Sequence, residues 1–312
     1  MSSSEGMTVM IRRCFLGCLL LLLAAGVAAA EGPQGLKIVS VKPGNGGIYA
    51  IVSVEFPKAW SDPAFTVEVN GKAVRMRQVG GGFSGDRSMA DLMFMPGRAA
   101  KQSVAVKCAA GGRKTEARAG FDWTAAPFVA VLGHTGNREM VAAKEKLTIA
   151  AVNVTGVRVF FNGKEIHAKP SAGDIETLTF DPAWKKGRNV LTINADKWDG
   201  GMIAKNFTFF DLGEGGTLPP GQSALVHLGR EGTKSGPFYD VKVEGDSVAL
   251  AQGTTVRRDI VDRDGWLVSE TWVAAELRAR KEGTAKVRVF VKPHFLQNME
   301  LEREFTITVA GE

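Results

Sequence analysis

Short runs in which apolar and polar residues alternate recur along the chain: Lys37–Val41, Ile48–Phe56, Phe65–Val69, Val157–Phe161, Val190–Asn194, Lys286–Val291 and Phe305–Val309. A period of two puts every second side chain on one face of an extended strand. Clusters of Gly, Pro, Asn and Asp separate the runs at roughly eight- to twelve-residue intervals, the punctuation of a β-sandwich. Helical periodicity is weak throughout. Glu270–Lys281 has a helix-forming composition, yet Val273, Ala275, Leu277 and Ala279 alternate with Ala274, Glu276, Arg278 and Arg280. That alternation predicts a long strand entering a hairpin at Gly283.

One run breaks the pattern. Phe15 to Val27 is almost wholly apolar, follows Arg12-Arg13 and precedes Ala28-Ala29-Ala30. A basic start, an apolar stretch shorter than the ~20 residues of a spanning helix, and small residues at its end predict a signal peptide over 1–30. An uncleaved anchor is the alternative reading. The arginine pair also fits a twin-arginine signal, but the leucine-rich run favours the general export route. Phe15-Leu16-Gly17-Cys18 is no lipoprotein box, because its apolar run follows the cysteine. The mature chain is expected to start near Glu31, to lack a transmembrane segment, and to lie in the periplasm or outside the cell.

Composition narrows this further. The 312 residues are 45% hydrophobic with a formal charge of +6, a globular balance. Without Arg12, Arg13 and Glu5, the 39 basic and 33 acidic residues leave +5, far from a nucleic-acid-binding footprint. Of three cysteines, Cys14 and Cys18 leave with the signal. Cys108 then reads as a small buried hydrophobe sharing a strand face with Val104 and Val106.

An internal repeat organises the mature chain. Val67-Glu68-Val69-Asn70-Gly71-Lys72-Ala73-Val74 matches Val159-Phe160-Phe161-Asn162-Gly163-Lys164-Glu165-Ile166. Leu92-Met93-Phe94-Met95-Pro96 matches Leu178-Thr179-Phe180-Asp181-Pro182, and the copies end in Gly120-Phe121-Asp122 and Phe209-Phe210-Asp211. Asn-Gly suits the two positive-φ positions of a type I′ hairpin. With Gly187-Arg188-Asn189-Val190-Leu191-Thr192-Ile193 and Ala195-Asp196, the second copy resembles the bacterial immunoglobulin-like modules of surface proteins and secreted glycosidases. The first copy has Ala100-Lys101-Gln102 where the Gly-Asn turn should be. The resemblance implies an all-β fold of tandem immunoglobulin-like β-sandwich domains that bind, space or display. The expected division is a first sandwich over 31–124 and a second over 125–213. A Gly/Pro linker over 214–221 and a third β-sandwich over 222–312 follow.

Chemistry is sparse. No nucleophile elbow or phosphate loop is present. Asp262-Arg263-Asp264-Gly265 lacks the further donors of a calcium loop, and Gly80-Gly81-Gly82 reads as a loop tip joining two strands. His134, His167, His227 and His294 look isolated, two in the second unit and two in the third. Lys185, Arg188 and Trp198 are candidate binding-loop residues of the second unit, and Thr233, Ser235, Phe238, Trp266 and His294 of the third. In the third unit, Glu231–Phe238 and Lys292-Pro293-His294-Phe295 are similar to loops of chagasin-type protease inhibitors. There is no Asn-Pro, however, His294 stands for Trp, and Asp264-Gly265-Trp266 is the nearest substitute for the middle loop. The expected function is non-enzymatic binding or scaffolding at the cell envelope or surface. No cofactor is expected, and the partner is a protein or glycan reached through loops or strand edges. The alternatives are an inhibitor-like third domain or accessory domains of a carbohydrate-acting envelope complex.

Overall fold

The computed structural model describes residues 35–136, 138–141, 145–167, 169–170, 175–211, 216–232 and 236–311. The expected signal peptide, Thr233 and Ser235 lie outside the described residues. The chain is all-β, and its sheets pair into sandwiches. Among the described residues no helix is long and apolar enough to cross a membrane.

The first sandwich packs the sheet β1 (Lys37–Gly44), β2 (Tyr49–Pro57), β6 (Arg87–Phe94), β5 (Met76–Ser84) on a second sheet. That second sheet runs β4 (Lys72–Val74), β3 (Ala64–Val69), β7 (Lys101–Ala110), β8 (Arg113–Asp122). In chain order this is the immunoglobulin arrangement, A-B-E-D against C′-C-F-G. Ile38, Val52, Leu92, Val104 and Val106 lie in its core. Cys108 is buried there as a free thiol, and burial pushes its pKa up. Gly80–Gly82, expected at a loop tip, lie inside the edge strand β5. A side chain at Gly81 would meet the Met89 carbonyl at 2.7 Å, so this glycine permits close pairing with β6 rather than a loop.

The second sandwich repeats the order. One sheet is β14 (Lys169–Pro170), β15 (Glu176–Phe180), β11 (Leu147–Val152), β9 (Phe128–Val131). The other begins β13 (Lys164–Ile166), β12 (Val154–Phe161), β16 (Arg188–Lys197), β17 (Met202–Asp211), β10 (Glu139–Val141). The matched sequence pieces fall on equivalent strands. Both Asn-Gly pairs turn hairpins with positive φ, at Asn70 and Gly71 and at Asn162 and Gly163. Each asparagine also accepts from the following strand, Asn70 from the Ser103 amide and Asn162 from the Val190 amide. The residue just before that amide is buried in both copies. Gln102 donates to the Gly97 and Ala99 carbonyls, where Asn189 donates to those of Lys185 and Gly187. Gln102 thus holds the turn that the missing Gly-Asn pair holds in the second copy.

The third unit lacks the sequence signature but shares the topology. Its sheets are β19 (Ser223–Arg230), β22 (Leu267–Ala279), β21 (Val248–Val261) and β18 (Gly216–Leu218), β24 (Glu300–Val309), β23 (Gly283–Lys292), β20 (Phe238–Glu244). Residues 216–218, read as linker, instead pair in parallel with β24. The alternating segment ending at Ala279 is strand β22. It forms no hairpin at Gly283, because β22 and β23 lie in opposite sheets; its hairpin partner is β21. The turn is set by Asp262, whose Oδ1 accepts the Trp266 amide at 2.8 Å and whose carbonyl accepts the Gly265 amide. Asp262 is thereby a structural residue of the hairpin turn.

Two features join the sandwiches. The short β10 pairs in parallel with β17 on one side and with β19 on the other, which makes one eight-stranded sheet across the second and third sandwiches. The long β21–β22 hairpin reaches back to the first. Its Trp266 meets Tyr49 edge-on at 5.3 Å, and Tyr49 Oη accepts the Leu267 amide. Asn45 Nδ2 donates to the Leu267 carbonyl, and the Asp259 carbonyl accepts the Gly133 amide of the second sandwich. Ile48, Met93, Ala150, Val152 and Ile175 complete an apolar cluster shared by the three units.

Candidate functional site

The residues singled out in the sequence do not converge. Lys185 and Arg188 are exposed on the β15–β16 turn, and Arg188 joins Lys186, Thr217 and Thr308 around a cavity of about 650 Å³. Trp198 sits at the opposite end of β16. It is half-buried against the first core, with its Nε1 3.3 Å from the Ala125 carbonyl, which makes it a junction residue. Trp266, expected on an exposed loop, is only 5% exposed because the first sandwich covers it. An inhibitor-like middle loop would need that side chain free.

Phe238 and His294 do come together, at one end of the third sandwich. Phe238 opposes Lys292 where β20 begins, and the following loop carries His294 and Phe295 with their rings 4.4 Å apart. This end exposes several large apolar side chains: Phe238 (40%), Phe295 (52%), Leu296 (78%), Met299 (43%) and Leu301 (53%). Scattered surface hydrophobes need no explanation; these lie together on one loop and its flanking strands.

A second constellation was not visible in the sequence. Glu139, at the head of β10, has no exposed surface. Its Oε1 accepts from the Thr135 amide and hydroxyl and, at 2.9 Å, from the Gly136 amide. Its Oε2 lies 2.8 Å from His134 Nδ1 and 3.0 Å from His227 Nε2. The His134 bond is well directed; His227 Nε2 lies close without hydrogen-bond alignment, so it adds less. His134 Nε2 faces Glu145 at 3.4 Å. Arg258 stacks 4.2 Å over Trp272 beside this network, and burial lowers its pKa against the pull of Glu139, Glu145 and Glu270.

Burial alone would raise the Glu139 carboxyl. Its contacts with His134 and His227 outweigh burial and hold it well below the ordinary carboxylate range. Burial likewise works to lower His134, and Glu139 and Glu145 outweigh it, so the imidazole is pushed up. The carboxylate thus ties a loop of the second sandwich to β19 of the third. Both histidines turn toward it, and among the described residues no group of three or more His, Cys, Asp or Glu is arranged to hold a metal ion. The only sequence cue was His227 within the otherwise apolar run Ala224–Leu228; its partner is too distant along the chain for spacing to reveal.

No family model matches the chain, and no curated protein matches it. Solved structures similar to it include the titin domains z1z2 in complex with telethonin, at 16% identity over 60% of this chain and 98% of that one, TM-score 0.22. A putative membrane anchored protein from Corynebacterium diphtheriae aligns at 10% identity over 92% and 91%, TM-score 0.26. Bacteroides ovatus SGBP-B, solved with a mixed-linkage heptasaccharide, aligns at 12% over 84% and 63%, TM-score 0.18. At these levels the similarities leave function untouched.

Proposed function

We propose that this is an exported, non-enzymatic scaffold of the bacterial cell envelope or surface that binds a protein partner through the end of its third sandwich. The observation that carries this reading is the exposed apolar group Phe238, Phe295, Leu296, Met299 and Leu301 on one loop and its flanking strands. The signal-like segment over 1–30 supports export. The shared sheet and the docked hairpin support a scaffold, because they hold the binding end at a set distance from the first sandwich. The burial of Glu139, with its oxygens held by the 135–136 loop and His134, supports a structural role for that cluster.

The test is affinity capture from cell-envelope extract with the mature protein and with a Phe295→Ser/Leu296→Ser variant. The expected result is a partner retained by the first and lost from the second, with both folded by circular dichroism. Equal retention by the two proteins, or none by either, would overturn the reading.

A further inference from the structure

Where the β21–β22 tip meets the first sandwich, a cleft of about 570 Å³ opens, within the size range of small-molecule sites. Val74, Met95, Ile175 and Trp266 supply its apolar lining, and Lys72, Arg75 and Arg98 its charge. No Asp or Glu lines it among the described residues. The nearby Arg77 is spent on Asp262 at 2.5 Å. Lys72, Arg75 and Arg98 have no ion pair among the described residues; Arg98 donates only to the Val154 carbonyl, at 3.3 Å.

Arg75 is placed by packing instead of by charge. Its guanidinium lies 4.6 Å over the Trp266 ring and against the backbone of Gly265. Trp266 is itself fixed by Tyr49 and by the Asp262 turn. A guanidinium ordered by stacking keeps its donors for a ligand and loses little entropy when one arrives. Three uncompensated cations around an apolar concavity complement one chemistry, a compact body bearing an oxyanion.

We propose that this cleft binds a small ligand through a carboxylate or phosphate group. Arg75 and Arg98 grip the oxyanion, Lys72 adds charge, and Val74, Met95 and Ile175 take the ligand body. The site is separate from the apolar end of the third sandwich, so either reading can fail without the other.

Calorimetric titration of the purified protein tests it, with benzoate, its methyl ester and inorganic phosphate as probes. Benzoate is expected to bind with an affinity that falls as salt is added, and the neutral ester is expected not to bind. Arg75→Met and Arg98→Met should each weaken binding roughly tenfold or more, as loss of a charge-assisted contact does. Arg77→Met, outside the cleft lining, should leave it unchanged. Phosphate binding that the same two variants abolish would support the site and identify a free anion as sufficient. Because Arg75 also packs on Trp266, each variant's thermal unfolding is followed, and Arg98→Met tests the cleft without touching that stack. The proposal is overturned if neither benzoate nor phosphate binds at millimolar concentration, if the ester binds as well as benzoate, or if Arg98→Met binds like the parent.

Discussion

Where the β21–β22 tip meets the first sandwich, a tryptophan lies edge-on to a tyrosine amid Ile48, Met93 and Val152. Where the second sandwich meets the third, a carboxylate with no exposed surface sits between two imidazoles. Both contacts lock sandwiches together, but they are made of opposite materials. The first gains from removing apolar area from water and depends little on pH or salt. The second must first overcome the cost of burying charge, and it holds only while every partner is present in the right protonation state. A chain of small sandwiches can therefore be rigid at both junctions and still be sensitive to its surroundings at only one.

Removing the central charge should break the comparison most severely. Glu139→Gln replaces an acceptor of several donors with a group that turns an N–H toward them, leaving buried donors unmatched. A loss of about 3–5 kcal/mol is expected, the usual consequence of breaking a buried pair from one side. A single melting temperature is a poor readout for a multidomain chain. Hydrogen exchange at the Leu225 amide, which donates across the junction to the Arg138 carbonyl, reads it directly. Unchanged Leu225 protection would show that the carboxylate does not hold the two sandwiches.

Trp266→Ala tests the apolar junction. A loss of about 3 kcal/mol is expected, the low end for truncating a buried tryptophan, because water can refill a site at a domain boundary. Exchange at the Leu267 amide, which donates to Tyr49 Oη of the first sandwich, should quicken while Leu225 stays protected. Equal loss of protection at both amides would mean that the junctions open as one unit and that the contrast is false.

The pH dependence sharpens the contrast next. Glu139 is depressed in the folded state, so its contribution is complete above the ordinary value of 4.5 and is lost as pH falls further. His134 is raised, so its contribution is complete below the ordinary 6.5 and is lost as pH rises through the folded value. Both contributions are therefore complete between 4.5 and 6.5. Leu225 protection, corrected for intrinsic exchange, should peak in that window and decline on either side, while Leu267 protection stays flat. A His134→Gln variant should lose the alkaline decline and keep the acid one.

Elements with a local cause were legible in the sequence. The Asn-Gly hairpins follow from the positive φ that two adjacent positions require, and β22 follows from alternation that outweighed a helix-forming composition. Gln102 escaped notice because one extra methylene lets a glutamine hold a turn that an asparagine holds in the second copy. The third sandwich has the shared topology without the repeat, since burial patterns specify a fold more loosely than turn residues do. Trp266 and Trp198 read as exposed loop residues because they lie beside turns, and only tertiary packing covers them. His134, His227 and Glu139 could not be joined at all, since β10 enters a sheet between strands whose neighbourhood spacing does not encode.

The smallest expected effect concerns an ion pair at the apolar junction. Arg77 and Asp262 are 2.5 Å apart, but their side chains keep 42% and 19% of their exposure. A pair so open to water is screened, and holding two side chains together offsets part of its attraction. Arg77→Met should therefore cost no more than about 0.5–1 kcal/mol at the Leu267 amide, and raising salt should erase most of that difference. The same salt should leave Leu225 protection nearly untouched, because the Glu139 cluster is shielded from counterions by burial. If Arg77→Met loosened the tip as much as Trp266→Ala, the first junction would be electrostatic too. The two contacts would then differ in exposure and not in kind.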